Sequence, residues 1–319
     1  MCNIEVDHRL LSDLKVENFA EVFGAKVDDF SAGCKELIEQ MDFRHHVIEG
    51  RERDRVILDV LKAIESGDLT VSGRQRKDDW EKGWGENLQR FIDSDYDLSS
   101  LVPVYYQTHQ ILRLQRDYIR HISASFVVDW YTVYRRFFFE KYLSDYDCIY
   151  EFGCGTGLNL VMMAELFPDK DVHGSDWVAA SKEIVDTIAK VYHYNIKGHV
   201  FDLFSPVGDF EVRDNSAIVT LNSLEQIGAD HEPFIQFVLT KAPTVCINWE
   251  PLIELYDESD LLDYLAIRYH RKRGYLEGYL TRLRELESEG TVEILKTQRI
   301  CFGSMYQEGF SFVIWRPKT

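Results

Sequence analysis

Three glycines at every second position follow an acidic residue in IYEFGCGTGLNL, the stretch that spans residues 149–160. The acid is Glu151, and the glycines are Gly153, Gly155 and Gly157. Glycine permits backbone conformations that other residues avoid, and it lets a ligand approach the main chain closely. The helix predicted after the glycines presents free N–H groups and a partial positive charge at its start. The pattern therefore predicts a small-molecule site with a carboxylate beside it.

Two common ligands of glycine-rich turns do not fit this spacing. A dinucleotide site has the pattern G-x-G-x-x-G/A, and here the sixth position of the pattern, with Gly153 as the first, is Leu158. A phosphate-binding P-loop ends in GK[ST], which is missing from this stretch. A nicotinamide-dependent dehydrogenase is therefore disfavoured.

The stretch YEFGCGTG resembles motif I of the class I S-adenosylmethionine (SAM)-dependent methyltransferases, and the resemblance covers roughly residues 145–319. Asp176, in HGSDW at the end of the second strand, lies 23 positions after the first glycine, where the family has an acid that binds both ribose hydroxyls. Asp202, in VFDLF, matches the acid that accepts from the adenine amino group. Phe201 and Leu203 would then flank the adenine ring.

The same resemblance implies how the methionine end of SAM is held. Glu151 would face the ammonium group, directly or through water. Asn222, in LNSLEQIG, would lie under the methionine part, and Trp177 follows the ribose-binding acid. The implied cofactor is SAM, the product is S-adenosylhomocysteine (SAH), and no metal is expected. Because LNSLEQ differs from the N/D-PPY/F motif, nucleobase and glutamine amino groups are disfavoured as acceptors.

The elements that must position these residues differ along the chain. From about residue 147, strands alternate with helices, which predicts a mostly parallel sheet covered on both faces. With the resemblance, the predicted fold is α/β and Rossmann-like, with seven strands and a C-terminal β-hairpin. Residues 1–140 show helical periodicity and predict an all-helical region that serves as lid and specificity part. Residues 141–319 form the predicted SAM-binding domain, and its long helical stretch, 258–289, bends near two glycines.

Two basic clusters are unusual in a chain of net charge −18. The first lies in THQILRLQRDYIRHI, which is predicted to be a helix with one basic stripe, and the second lies in RYHRKRGYL. Their members are His109, Arg113, Arg116 and Arg120, and Arg268, His270, Arg271 and Arg273. They predict binding of an anionic acceptor. The alternative is a solvated helix face paired with nearby acids.

Methyl transfer to oxygen usually needs a base, and three residues are candidates for it. These are His109, His231 and Glu225, the last two of which follow the fourth strand. Trp249 and Glu250, at the end of the fifth strand, are candidates for the wall of the acceptor pocket.

A tryptophan pair lies in SGRQRKDDWEKGWGENL, the segment 72–88, which is predicted to be a loop. Trp80 and Trp84 either close over the site or anchor this loop to the core.

Composition narrows the class of protein further. The 319 residues are 45% hydrophobic, without an apolar run long enough for a membrane span and without a secretory signal. Six scattered cysteines are typical of reduced thiols in a cytoplasmic protein. The strongly negative charge disfavours nucleic acid as a partner. We expect a small-molecule substrate, no membrane association and a homodimer.

The sequence thus predicts a cytoplasmic SAM-dependent methyltransferase of biosynthesis. It would act on an oxygen or nitrogen atom of a small, anionic metabolite, such as a sugar or natural-product intermediate. One alternative is a regulatory protein that binds SAM without transferring its methyl group. Another is a methyltransferase that acts on a protein.

Overall fold

The computed structural model describes residues 11–103 and 110–318. Its α-helices are α1 (Val16–Phe23), α2 (Ala32–Gln40), α3 (Gly50–Glu65), α4 (Lys77–Asp93), α5 (Phe126–Tyr142), α6 (Leu158–Leu166), α7 (Ala179–Tyr192), α8 (Glu232–Lys241), α9 (Leu261–Arg273) and α10 (Tyr279–Ser288). Its strands are β1 (Ser12–Asp13), β2 (Arg44–Val47), β3 (Ile111–Leu114), β4 (Asp117–His121), β5 (Cys148–Phe152), β6 (Asp171–Asp176), β7 (Ile196–Val200), β8 (Ser216–Leu221), β9 (Val245–Trp249), β10 (Val292–Gln298), β11 (Phe302–Ser304) and β12 (Phe312–Pro317).

A seven-stranded sheet has the order β10-β12-β9-β8-β5-β6-β7. Strands β5 to β9 are parallel, and β12 lies antiparallel between β9 and β10. The central strands β5 and β9 are buried along their whole length, as expected when helices cover both faces. The structure confirms the predicted Rossmann-like sheet and its closing antiparallel pair.

A second sheet of five antiparallel strands has the order β1-β2-β4-β3-β11. Four of its strands precede residue 140, so the prediction of an all-helical N-terminal region is wrong. The fifth, β11, comes from the C-terminal part and pairs with β3 through Phe302 and Leu114. Residues from both sides of the predicted domain boundary therefore share one sheet.

The segment THQILRLQRDYIRHI was predicted to be helical, and this is wrong for its described part. Residues 111–121 form a hairpin in which Leu114 pairs with Asp117. The two residues between them, Gln115 and Arg116, have φ angles of 50° and 70°, as in a tight type I′ hairpin turn. The arginines of this segment therefore do not lie on one helix stripe.

Residues 72–88 were predicted to be a loop, yet most of them belong to α4. Gly83 and Gly85 lie inside this helix at positions where a Cβ would meet no other atom. Packing of α4 against α7 outweighs the low helix propensity of the two glycines. The stretch 258–289 divides into α9 and α10 between Gly274 and Gly278, which confirms the predicted bend.

The carboxyl ends of the parallel strands meet at one edge of the seven-stranded sheet. In this fold class, ligands bind at that edge. Helix α4 lies over it against α7, and α5 packs against α6 beside it. Among the described residues, no helix combines the length and the apolar composition that a bilayer span requires.

Candidate functional site

A cavity with about 950 Å³ of empty space, partly open to solvent, lies at the carboxyl ends of β5, β6 and β8. We call it the first cavity. Residues singled out from the sequence that line it are Gly153, Gly155, Asp176, Trp177, Phe201, Leu203, Asn222, Trp80 and Trp84. Nine of the 20 residues that line it in the described part of the chain were thus singled out from the sequence.

The glycine loop forms the floor of the first cavity. Gly153, Gly155 and Gly157 have φ angles of 79°, 52° and 76°, in the left-handed region where side chains are strained. A Cβ on Gly153 would lie 2.1 Å from the Cβ of Ser223, which excludes any side chain there. Gly157 precedes α6 and does not line the cavity. At these three positions the backbone conformation therefore favours glycine.

Asp176 ends β6 with a side chain that is almost completely buried. Its Oδ2 accepts a hydrogen bond from the N–H of Gly155 at 3.0 Å, and Oδ1 accepts from Val178 at 3.4 Å. Burial raises the pKa of this carboxyl to about 6, although the backbone N–H donors oppose the shift. The carboxylate is thus fixed in direction and faces the first cavity.

Glu151 lies one layer behind the cavity wall and is completely buried. Asn159 donates from Nδ2 to Oε1 of Glu151, and Arg135 donates from Nη1 to Oδ1 of Asn159 at 3.3 Å. The other carboxylate oxygen, Oε2, is buried without a hydrogen-bond partner among the described residues. Burial raises the pKa of Glu151 to about 7, opposed by the hydrogen bond from Asn159 and the charge of Arg135.

Carboxylate, amide and guanidinium therefore form a chain along one wall of the first cavity, which we call the Glu151–Asn159–Arg135 chain. Of these three residues, only Glu151 was predicted from the sequence. Asn159 lies in the first turn of α6, eight residues after Glu151, and Arg135 lies on the aromatic helix α5. The basic pair in YTVYRRFFF, shortly before β5, is a sequence feature from which Arg135 could have been predicted.

The predicted adenine partner, Asp202, is not among the residues that line the first cavity. Its Oδ1 accepts from the N–H of Phe204 at 2.8 Å, which fixes the turn after β7. Phe201, Leu203 and Phe204 line the cavity instead and give that end an apolar wall. The role of Asp202 towards an adenine amino group stays a prediction.

The tryptophan pair forms the opposite wall. Trp80 and Trp84 lie one helical turn apart on α4, and their ring centroids are 5.3 Å apart. A Cβ on Gly155 would lie 3.0 Å from the Trp84 ring. Between the two tryptophans, Glu81 accepts from the N–H groups of Ala179 and Ala180 at the start of α7. This carboxylate attaches α4 to the helix that follows Asp176.

The structure does not place the described candidate bases in the first cavity. Glu225 accepts from Gln226 at 2.8 Å, and burial raises its pKa to about 7. His231 contacts the carbonyl of Glu277 through Nε2 at 3.1 Å, and burial lowers its pKa. His109 lies outside the described residues.

Trp249 and Glu250, predicted to line the acceptor pocket, are fully buried under the strand ends. Glu250 accepts from the N–H groups of Ser223 and Leu224 at 3.1 and 3.0 Å. Burial raises its pKa to about 8, although these N–H donors oppose the shift. Glu250 thus fixes the loop that carries Asn222 rather than meeting a ligand.

The first basic cluster is also arranged differently from its prediction. Arg113 is 1% exposed and pairs with Asp263 at 2.9 Å and Glu308 at 3.4 Å. Arg116 is exposed at the hairpin turn, and Arg120 pairs with Glu52 on the surface. None of the three arginines lines the first cavity.

The second basic cluster is engaged within the protein. His270 is fully buried, and its ring nitrogens contact Gln307 and the carbonyl of Leu276. Arg273 donates to the hydroxyl of Tyr269 at 2.8 Å. These two side chains hold the end of α9 through neutral partners. Arg271, which pairs with Glu277 at the surface, matches the alternative of a solvated helix face paired with nearby acids.

A second cavity of about 470 Å³ adjoins the first. Both cavities are lined by Arg135, Leu158, Asn159, Leu221 and Asn222, which form a common boundary. The second cavity is also lined by Val102, Val128, Tyr131, Tyr134 and Phe310. The two cavities are thus adjoining compartments that share one boundary.

In residues 11–103 and 110–318, no group of three or more His, Cys, Asp or Glu side chains is arranged to hold a metal ion. The described site consists of carboxylates, amides and one guanidinium around a glycine floor.

No protein-family model matches the chain, and no curated protein matches it. Among solved structures, it is similar to human N-acetylserotonin methyltransferase in complex with SAM, with 14% identity, a TM-score of 0.46 and coverage of 94% of this chain and 74% of that one. The 16S rRNA methylase ArmA gives 15% identity, a TM-score of 0.45 and coverage of 74% and 98%.

The O-methyltransferase NcsB1 from neocarzinostatin biosynthesis, in complex with SAM and 2-hydroxy-5-methyl naphthoic acid, gives 14% identity and a TM-score of 0.40. The match covers 60% of this chain and 58% of that one. Likenesses at TM-scores below 0.5 do not decide what this chain does. Its own sheet, glycine loop and charged side chains carry the functional argument.

Proposed function

We propose that the protein is a SAM-dependent methyltransferase that acts on a small molecule. The observation that carries this proposal is the Glu151–Asn159–Arg135 chain beside the glycine floor. A buried carboxylate and a guanidinium at opposite ends of one amide complement an α-amino acid, which has an ammonium and a carboxylate. An adenosyl group attached to that amino acid would extend along the floor towards Asp176.

Each part of SAM has a counterpart among the described residues. Glu151 has an unpartnered, buried oxygen, and such an atom favours a cation nearby. Arg135 supplies the charge that attracts the carboxylate of the amino acid. Asp176 faces the ribose position with two acceptor oxygens, and the wall of Phe201, Leu203 and Phe204 suits a flat base.

The sulfonium of SAM supplies a methyl group that is already activated towards a nucleophile. The protein therefore has to align the acceptor with the S–CH3 bond and exclude water. Trp80 and Trp84 cover the first cavity, and Asn222 lies at the boundary where the methyl group would point. The second cavity then holds the acceptor, which makes it a small molecule.

Calorimetry with SAH and SAM tests cofactor binding. We expect both compounds to bind to the wild type, and we expect Gly153→Ala to abolish binding because its Cβ would meet Ser223. Gly208→Ala is a matched control, because a Cβ there meets no other atom. Absence of heat with either compound on folded wild-type protein would overturn the proposal.

Production of SAH from SAM in the presence of a mixed metabolite pool distinguishes transfer from regulatory binding. A protein that binds SAM but yields no SAH with any metabolite, peptide or RNA pool is a SAM-binding regulator. Turnover with a peptide pool alone would favour the protein methyltransferase. An RNA acceptor is disfavoured by the net charge of −18, which repels a polyanion.

A further inference from the structure

The second cavity is divided into a polar boundary and an apolar interior. Three of its polar lining residues, Arg135, Asn159 and Asn222, also line the first cavity and form the polar boundary. Among the described residues, those that line only the second cavity are aliphatic or aromatic: Val102, Val128, Tyr131, Tyr134 and Phe310. Tyr134 already donates its hydroxyl to the carbonyl of Phe310 at 2.8 Å. A molecule in this cavity therefore meets polar groups at one end and apolar walls at the other.

Asn222 lies at the centre of this division. Its side chain lines both cavities, and its Oδ1 is buried without a hydrogen-bond partner in the described part of the chain. The backbone is held in the left-handed region at φ 53°, and its N–H donates to the carbonyl of Trp249 at 3.0 Å. Glu250 fixes the next two N–H groups. The backbone that carries this amide is thus fixed at the boundary of the two cavities.

We propose that the methyl acceptor has a flat, apolar body in the second cavity and a hydroxyl or amine group that the Asn222 amide positions at the boundary. This inference rests on the proposed function. The heteroatom of the acceptor supplies the electron pair of its new bond to the methyl carbon. The bonding pair of the S–CH3 bond stays with sulfur, and the proton of the acceptor passes to water.

The apolar interior favours this kind of acceptor over an anionic sugar. The hydroxyl groups of a sugar would lie among Val102, Val128 and Phe310, where a buried polar group without a hydrogen bond is unfavourable. The arginine cluster predicted to bind an anion pairs with Asp263 and Glu308 instead. Arg135 contacts Asn159 at the boundary, on the side of the amino acid end of SAM.

The test is calorimetry on protein saturated with SAH, with four probes. 1-Naphthol and 1-naphthylamine carry the proposed flat body with a hydroxyl or an amine, naphthalene lacks the polar group, and glucose 6-phosphate is an anionic sugar. We expect naphthol or naphthylamine to bind at least tenfold more tightly than the sugar phosphate. Naphthalene should bind more weakly than its substituted relatives, because it does not engage Asn222.

Two variants locate the binding site. Val128→Phe fills the apolar interior and should weaken naphthol binding at least tenfold, whereas Val191→Phe adds the same ring on the exposed face of α7 and should change nothing. Asn222→Gly removes the amide at a position where glycine is unstrained, so the fold is retained. It should weaken naphthol and naphthylamine about fivefold and leave naphthalene unchanged.

The outcomes separate this inference from the proposed function. If SAH binds but neither naphthyl probe does, or if glucose 6-phosphate binds more tightly, the acceptor inference is overturned and the methyltransferase proposal stands. If Val128→Phe leaves naphthol binding unchanged, the probe lies elsewhere and the inference fails. If SAH itself does not bind, the proposed function fails first.

Discussion

Two groups of side chains surround buried carboxylates and differ in how those carboxylates are paired. In the first, Glu151 contacts Asn159, which contacts Arg135 beside the first cavity. In the second, which we call the ionic cluster, Arg113 and Arg299 pair with Asp263 and Glu308. The Glu151–Asn159–Arg135 chain joins β5 of the seven-stranded sheet to α5 and α6, whereas the ionic cluster joins β3 of the five-stranded sheet to the C-terminal part of the protein.

The groups differ in how completely their carboxylates are paired. All four carboxylate oxygens of the ionic cluster accept hydrogen bonds. Burial alone would raise the pKa of Asp263, but the hydrogen bonds from Arg299 and the N–H of Asp257 outweigh it and lower the pKa. Glu151 has one unpartnered oxygen and a pKa raised to about 7. The paired carboxylates of the ionic cluster thus stabilise the fold, whereas the unpartnered oxygen of Glu151 is the contact that we propose for a ligand.

The strongest test of the comparison removes one arginine from the ionic cluster. Arg113→Gln should lower the free energy of unfolding by about 3 kcal/mol, because it leaves two buried carboxylates with one cation, Arg299, instead of two. Urea unfolding followed by circular dichroism measures this loss. The folded fraction should bind SAH with unchanged affinity. A variant as stable as the wild type would show that the cluster does not hold the fold.

The matching change in the chain is Glu151→Gln. We expect SAH affinity to fall about thirtyfold, since a charge-assisted contact of about 2 kcal/mol is lost, while the fold is retained. Calorimetry measures the affinity, and urea unfolding serves as the control. Because Gln carries no buried charge, the variant should be at least as stable as the wild type at pH 8. Loss of stability with unchanged affinity would reverse the comparison.

The raised pKa values predict a pH dependence of binding. Glu151 and Asp176 must be ionised to meet an ammonium and two hydroxyl groups, and their pKa values are about 7 and about 6. Because the pKa values of both carboxyl groups are raised, both groups become protonated on acidification below pH 8, and protonation opposes binding. SAH affinity should therefore fall about twentyfold from pH 8 to pH 6, with about tenfold from protonation of Glu151 and about twofold from protonation of Asp176.

Calorimetry across this range with Glu151→Gln serves as the control. In that variant only Asp176 of the two carboxyl groups titrates, so its SAH affinity should fall about twofold between pH 8 and pH 6. Equal pH dependence in both proteins would assign the effect to another group. Affinity that rises on acidification would contradict the ionised form of both carboxylates.

The comparison also explains what could be predicted from the sequence. Strand β5, its glycines and Asp176 follow one another along the chain, so their pattern indicated both the fold and the first cavity. Asn159 lies only eight residues from Glu151. The partners of Arg113 lie 150 and 195 residues away, at Asp263 and Glu308. No local pattern reports such distant partners, and Arg113 was therefore misinterpreted as a ligand-binding residue on a helix.

The hairpin of β3 and β4 was missed for a related reason. The apolar residues of ILRLQRDYI fit both a helical and an alternating spacing. Its turn residues, Gln115 and Arg116, are neither glycine nor asparagine, so the sequence has no turn signal there. Pairing with β11, far along the chain, decides the structure in favour of strands.

A smaller effect is expected from α4, whose Trp80 and Trp84 cover the first cavity. The ionic cluster has no such cover among the described residues. Glu81→Ala removes the carboxylate that joins α4 to Ala179 and Ala180. SAH affinity should fall about threefold through faster dissociation, because two hydrogen bonds that hold the cover are lost. Stopped-flow tryptophan fluorescence measures the dissociation rate. Lys82→Ala, the neighbouring exposed position on α4, is the control, and an equal change in both variants would contradict a specific attachment.

The smallest effect is expected at Arg120, which the sequence placed on the same stripe as Arg113. Arg120 pairs with Glu52 at 2.8 Å where both side chains are partly exposed to solvent. Surface ion pairs contribute about 0.5 kcal/mol or less, because water and salt screen them. Arg120→Gln should therefore leave urea unfolding within that range and SAH affinity unchanged. If it destabilised the protein as much as Arg113→Gln, burial and pairing would not be what distinguishes these arginines, and the contrast between a satisfied cluster and a ligand-binding chain would lose its physical basis.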